Sequence, residues 1–364
     1  MSNQTIIQPR PAVMATHYDQ HGAFDYAELE ALGVTPDEII DFSVNINPFG
    51  TSPVAVNALK NVVIDRYPDQ ESLALRRALA QHLNLIPAQI AIGNGTAELL
   101  WLLAAAFVEQ GDDILILGPT FGEYARSVSL FGGKVETLQA QPENHFHIEP
   151  KHVENSLDTL KPRLAFICTP NNPTGVVITP EFIHAWAEAH PNTLFVIDEA
   201  YRQFVLGFTS CLSLNLPNVV ILHSMTKDYA MAGLRLGYAA GQEHIIDAIA
   251  RTRPPWNVNA AAQAVGLAAL HDTHHLQTTL AQLMQAKADL LVDLTNLGIQ
   301  PNPSQTHYML LHVGDAADFR RRLLKHRIQV RDCASFGWPE YVRISTRTPE
   351  DNGRLITAIK EVLA

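Results

Sequence analysis

The residues best able to do chemistry lie in one stretch, Ser224-Met225-Thr226-Lys227-Asp228-Tyr229-Ala230-Met231-Ala232-Gly233-Leu234-Arg235-Leu236-Gly237. Lys227 follows two hydroxyls and precedes an arginine, directly after the apolar run Val219-Val220-Ile221-Leu222. Burial and a cationic neighbour lower a lysine's pKa and turn it into a nucleophilic amine. A solvated loop lysine has neither. The other turns decide between the two readings.

Gly93-Asn94-Gly95-Thr96-Ala97-Glu98 joins an expected strand to an expected helix. Glycines allow a sharp turn there, and the free amides of a helix start favour a phosphate. A dinucleotide fingerprint would need a third glycine where Glu98 stands. Gly118-Pro119-Thr120-Phe121-Gly122-Glu123-Tyr124 brings two aromatics to the same sheet edge, as core or as a stacking surface for a flat ring. In Thr169-Pro170-Asn171-Asn172-Pro173-Thr174-Gly175 the prolines stiffen a loop that aims the Asn172 amide at one spot. Phe195-Val196-Ile197-Asp198-Glu199-Ala200-Tyr201 ends a buried strand with a carboxylate. An ATPase would use such an acid for magnesium, but the chain has no G-x-x-x-x-G-K-[ST] loop. Arg331 and Arg343 end two expected neighbouring strands and together could clamp an anion. Asn45 and Asn47, at i and i+2 on an expected strand Phe42-Val44-Ile46, could present amides to a ligand.

These side chains need a scaffold, and 364 residues suffice for a large core and two domains. The chain is 47% hydrophobic and 17% charged, as an ordinary globular protein is. A net charge of −11 with no basic run argues against nucleic-acid binding. The odd, scattered Cys168, Cys211 and Cys333 suit a reducing cytoplasm and no disulfide framework. No apolar run is long enough for a membrane, and Met1 to Arg10 lacks a signal core. His271, His274 and His275 read as a surface cluster at a helix end, so no metal is expected.

Apolar runs at Ile90-Ile92, Ile114-Leu117, Leu164-Ile167, Leu194-Ile197, Val219-Leu222 and Leu234-Ala239 alternate with helical spacing over Ala97-Val108, Tyr124-Phe131 and Pro180-Ala189. This is an α/β pattern with a mostly parallel sheet, whose ligands bind at the carboxyl ends of the strands. Asp69 is expected to cap a helix through Leu83. Beyond it, Ala260-Leu270 and a long Leu276-Leu297 read as helices. A smaller α+β unit follows, with strands Tyr308-Leu311, Ile328-Arg331 and Tyr341-Ile344 and helices Ala316-His326 and Pro349-Leu363. The expected domains are 48–281, and 1–47 with 282–364.

With Asn172-Pro173-Thr174-Gly175, Asp198-x-x-Tyr201, Ser224-x-x-Lys227 and Arg235 in chain order, the sequence resembles the fold-type I pyridoxal-phosphate enzymes of the class I/II aminotransferase family over nearly its whole length. Within it the chain is similar to the branch of histidinol-phosphate aminotransferase and L-threonine-O-3-phosphate decarboxylase. Asp41-Phe42-Ser43-Val44-Asn45-Ile46-Asn47-Pro48 and Val330-Arg331-Asp332-Cys333-Ala334-Ser335-Phe336-Gly337 look most like the decarboxylase, an enzyme of cobalamin synthesis. The resemblance implies the PLP-dependent transferase fold, pyridoxal 5'-phosphate as cofactor, and Lys227 as the Schiff-base lysine. It implies that Asp198 pairs with the ring nitrogen, that Asn172 and Tyr201 bond the phenolic oxygen, and that Tyr124 stacks on the ring. Gly95, Thr96, Ala97, Ser224, Thr226 and Arg235 would hold the phosphate. Tyr67 would reach the site of the partner in a homodimer. Asn45, Asn47, Asn172, Arg331 and Arg343 would face a small phosphorylated amine or amino acid, with an N-terminal arm near His17 and His21 as a lid. Decarboxylation is the first expectation for the reaction and transamination the alternative, because the same residues serve both.

Overall fold

Short runs of branched and aromatic residues bounded by Gly, Pro and Asp make the strands of this protein. The computed structural model describes residues 7–16 and 22–363. The strands are β1 (Ile40–Asp41), β2 (Ile90–Gly93), β3 (Asp113–Gly118), β4 (Lys134–Gln139), β5 (Leu164–Cys168), β6 (Leu194–Asp198), β7 (Val219–Ser224), β8 (Gly237–Gly241), β9 (Tyr308–His312), β10 (Ile328–Gln329), β11 (Arg331–Asp332) and β12 (Tyr341–Ser345). Seven of them form the main sheet in the order β2-β8-β7-β6-β5-β3-β4. Pairing is parallel from β4 through β7, and β8 runs antiparallel to both β7 and β2. In register Cys168 faces Asp198, and Asp198 faces Leu222. The chemical turns after β5, β6 and β7 therefore emerge side by side at one edge of the sheet.

The helices are α1 (Pro11–Ala15), α2 (Tyr26–Ala31), α3 (Pro53–Ala58), α4 (Leu73–Leu83), α5 (Gly95–Phe107), α6 (Glu123–Leu130), α7 (Pro150–Leu160), α8 (Pro180–Ala189), α9 (Glu243–Thr252), α10 (Ala260–His271), α11 (Thr273–Asn296), α12 (Ala316–Lys325) and α13 (Pro349–Leu363). Helices cover both faces of the sheet: Leu99, Leu103 and Ile249 join Ile116 and Val220 in one core, while Val153, Ile183 and Trp186 join Leu115 and Ile221 in another. A three-stranded antiparallel sheet, β11-β12-β9, packs with α12 and α13 around Phe42, Leu311, Phe319, Val342 and Ile359. Helix α11 carries Leu283 against Tyr201, Phe204 and Tyr308, then Leu290 and Leu294 into this smaller core. It is the rod between the two cores.

Several elements differ from the sequence expectation. The strand through Phe42, Val44 and Ile46 is only β1, paired with β10; beyond it the chain runs as irregular coil along the cleft. Strand β8 starts at Gly237, because Ala232–Leu234 winds into a 3-10 turn and Arg235 takes a left-handed φ of 56°. Edge strand β4 is polar and half exposed, so it lacks the apolar signature of the inner strands. Helix α4 begins at Leu73, later than its cap implied: Asp69 accepts the Leu73 N–H at 2.6 Å from outside the helix. No helix of the described residues is long and apolar enough to cross a membrane.

Candidate active site

A cleft at the carboxyl ends of β5, β6 and β7 gathers residues from both cores. Lys227 stands in it, on the turn after β7, together with Ser224, Thr226, Arg235, Asp198, Tyr201 and Asn172. Burial lowers the Lys227 pKa to about 8, and the Arg343 and Arg235 cations add to the effect against Asp198. A lysine so placed has the lowered pKa that an activated amine needs.

One end of the cleft is built for an anion. Helix α5 opens at Gly95, whose φ of +77° suits glycine, and a Cβ there would stand 2.7 Å from the Arg235 guanidinium. The bare backbone lets the arginine lie against the helix start, where the amides of Thr96 and Ala97 add partial positive charge. Ser224 Oγ and Thr226 Oγ1 lie 2.6 Å apart beside them. Glu98 accepts the Asn94 N–H at 2.7 Å and an Asn257 N–H at 2.6 Å, tying down the turn where a dinucleotide fold would need glycine.

The other end holds a buried acid. Asp198 is 5% exposed, and burial raises its pKa. Its Oδ2 accepts from the Tyr124 hydroxyl at 2.7 Å and its Oδ1 from the Ala200 N–H at 3.0 Å. Tyr124 lines the cleft with its hydroxyl committed to Asp198 and one ring face to Phe166, at 5.2 Å, so it also fixes the acid. Of the two aromatics in that turn, Phe121 is the partly exposed one on the cleft wall. Tyr201 stays protonated because burial pushes its phenol up, and its ring stands edge-on to Tyr308. Asn172 accepts from Arg343 through Oδ1, which leaves the amide N–H₂ as the donor toward the cleft.

The third wall carries the arginines. Arg331 and Arg343 face each other across β11 and β12, Arg343 in mid-strand and not at its end. Like charges directly opposite destabilise a strand pair unless an anion joins them. Arg343 donates to Asn172 and to the Ser43 carbonyl, both neutral. Arg331 donates to Ser335 Oγ at 2.6 Å and lies over the Phe336 ring, and burial brings its pKa down to about 10. Asn45 is 1% exposed on this wall, and neither amide atom makes a hydrogen bond of good geometry.

Asn47 departs from its expected role. It is 2% exposed, does not line the cleft, and bonds Asp228 and Thr279 instead. Without a strand there, positions i and i+2 need not share a face. Tyr67 lies outside this chain's cleft, 75% exposed and stacked on Trp256 at 4.4 Å. His17 and His21 fall outside the described residues. Gly22, Ser43, Cys168 and Phe336 line the cleft unforeseen. Only Gly22 had a signal to find it, the glycine next to His21; a Cβ on it would run into the Ser43 carbonyl.

An amine between a buried acid and an anion cradle suits a flat ring with a basic nitrogen at one end and a phosphate at the other. The Gly95 cradle and the Asn45 amide beside Tyr201 both fit such a group and a substrate next to it.

Known proteins resemble this chain over most of its length. The family model for aminotransferase class I and II matches residues 37–359. A histidinol-phosphate aminotransferase of Symbiobacterium thermophilum is 37% identical over 90% of this chain and 91% of its own. Histidinol-phosphate aminotransferase 1 of Thiobacillus denitrificans is 34% identical over 92% and 88%. Among solved structures, the L-threonine-O-3-phosphate decarboxylase of Porphyromonas gingivalis superposes with a TM-score of 0.79 at 25% identity, covering 88% of this chain and 98% of its own.

Proposed function

We propose that this chain, which belongs to the class I and II aminotransferases, is a pyridoxal-phosphate enzyme that moves the amino group of a small phosphorylated amine, with histidinol-phosphate-type transamination as its reaction. The paired Arg331 and Arg343 opposite Lys227 carry the reading of the substrate, since two facing cations call for a dianion. The relatives 34–37% identical over about 90% of the chain support transamination. They favour the alternative expectation over the decarboxylase.

Pyridoxal 5'-phosphate supplies an aldehyde for the amino group and a ring that accepts electrons from a broken Cα bond. Arg235, Ser224, Thr226 and the Gly95–Ala97 helix start hold its phosphate. Asp198, fixed by Tyr124, would set its carboxylate against the ring nitrogen and keep a proton there by pairing with the ring cation. Asn172 and Tyr201 donate to the phenolic oxygen. Lys227 Nζ, near neutrality because its pKa is about 8, both gives up and takes back a proton at the substrate Cα. Asn45 and the arginines orient the substrate. Tyr67, exposed among Val54, Val56, Leu59 and Ile64, reaches the cleft of a second copy.

The decarboxylase remains as a second reading, favoured by its structural neighbour and by the same phosphate-ready arginines. One assay separates them. Purified protein given histidinol phosphate and 2-oxoglutarate should form glutamate. Release of carbon dioxide from L-threonine-O-3-phosphate, with no glutamate in the first reaction, would overturn the transaminase reading.

A further inference from the structure

Two residues grip the Lys227 turn from behind the cleft. Asn47 donates its backbone N–H to the Lys227 carbonyl at 2.9 Å. Its Nδ2 donates to the Asp228 carbonyl at 3.1 Å and to Thr279 Oγ1 on α11 at 2.8 Å. Its Oδ1 accepts the Phe49 N–H at 3.2 Å. The Asn47 side chain is therefore committed: it holds the Asp228 carbonyl and Thr279, while the backbone N–H of the same residue holds the carbonyl of the lysine before it.

Lys227 lines the cleft, whereas Asp228 lines a separate small cavity beneath it. The Asp228 side chain is 5% exposed, and its Oδ1 accepts the neighbouring Tyr229 N–H at 3.0 Å. The titratable groups around that cavity are His82 from α4, Glu199 and Arg202 from the turn after β6, His223 from β7, Tyr229, and Tyr238 from β8. Glu199 is taken up by Ser210, by the Cys211 N–H and by His223 Nε2 at 2.8 Å, and His223 Nδ1 by the Tyr238 hydroxyl at 2.8 Å. That leaves Arg202 as the cation facing Asp228. Burial raises the Asp228 pKa to about 7, and Arg202 opposes the rise. A carboxylate buried next to a nucleophile costs stability, and such groups gather at functional sites.

We propose that Asn47 and Asp228 are positioning residues for Lys227: Asn47 clamps the two carbonyls of its turn through its backbone N–H and its Nδ2, and the Asp228 carboxylate, by taking the Tyr229 N–H, holds the turn on its other side. The inference rests on Lys227 being the reactive amine. In the loaded enzyme, Asn47→Ala should lower kcat about tenfold or more while KM stays within about twofold, because a misplaced reacting group costs rate and not affinity. It should also move the pH midpoint of the visible absorbance of the bound cofactor. A raised KM with unchanged kcat and spectrum would overturn the clamp and return Asn47 to the substrate. Thr279→Val, which withdraws one of its acceptors, gives the same test if Asn47→Ala does not fold.

Asp228 has a readout that needs no cofactor. A raised carboxylate pKa adds stability below the unfolded value near 4, and this is lost as pH rises through about 7. Cofactor-free protein should therefore melt at progressively lower temperature than Asp228→Asn as pH goes from 5 to 8. A constant gap would mean that the fold does not raise the Asp228 pKa above its unfolded value, and would overturn its part. The melting comparison fails or succeeds whether or not Lys227 is the reactive amine.

Discussion

Lys227 sets the pH range of the whole site. Its pKa of about 8 is depressed by burial first and by Arg343 and Arg235 next, so the neutral amine is a minority at pH 7 and dominates above pH 9. The rate at which cofactor-free protein takes up pyridoxal phosphate should rise about tenfold between pH 6 and 7 and level off above 9. Stopped-flow absorbance reads this, and a flat profile would contradict the depressed pKa. Arg331→Gln removes a charge from the anion wall. It should raise KM for the phosphorylated substrate roughly 10- to 100-fold, the range of a charge-assisted hydrogen bond, and leave cofactor binding unchanged. At this scale the sequence was legible where a residue's chemistry depends on its own turn: Lys227, Asp198, Asn172 and Arg235 all line one cleft. It was not legible where the partner is distant in sequence. Nothing local shows that the Tyr124 hydroxyl is bonded to Asp198, 74 positions on.

Turns become sites here because strands and helix starts hold them in register. The Gly95 turn shows the tolerance: its left-handed backbone and the nearby Arg235 leave no room for a side chain. Gly95→Ala should weaken pyridoxal-phosphate affinity by about 5- to 30-fold, read by equilibrium titration, since strain of about 1–2 kcal/mol falls on the cradle itself. Unaltered affinity would show that the helix start does not hold the phosphate. Helix α11 is the element that joins the cores, and Leu290 on it is 1% exposed. Leu290→Ala should cost about 2–5 kcal/mol of stability in denaturant unfolding, the usual range for a core leucine. Inner strands and long helices were readable because every buried residue repeats the same signal. Strand β4 and the coil after β1 were not, since a half-exposed edge and a path set by contacts with Lys227 and Thr279 leave no period in the sequence.

For the whole molecule, the proposed sharing of the site turns on Tyr67, which is 75% exposed and outside this chain's own cleft. Lys227→Ala and Tyr67→Ser proteins, each inactive or weak alone, should regain activity when mixed subunits form one intact site. No recovery would place Tyr67 outside the chemistry. The α/β architecture and the cleft at the strand ends follow from alternating apolar runs and turns, whereas the choice of reaction depends on which Cα bond the site aligns, which residue types do not encode. The central claim is that Lys227 is the covalent anchor of a pyridoxal-phosphate enzyme. Borohydride treatment of the yellow, loaded protein followed by peptide mass mapping tests it directly. The account predicts a pyridoxyl group on the peptide carrying Lys227 and none in Lys227→Ala; label on another lysine, or no label, would contradict it.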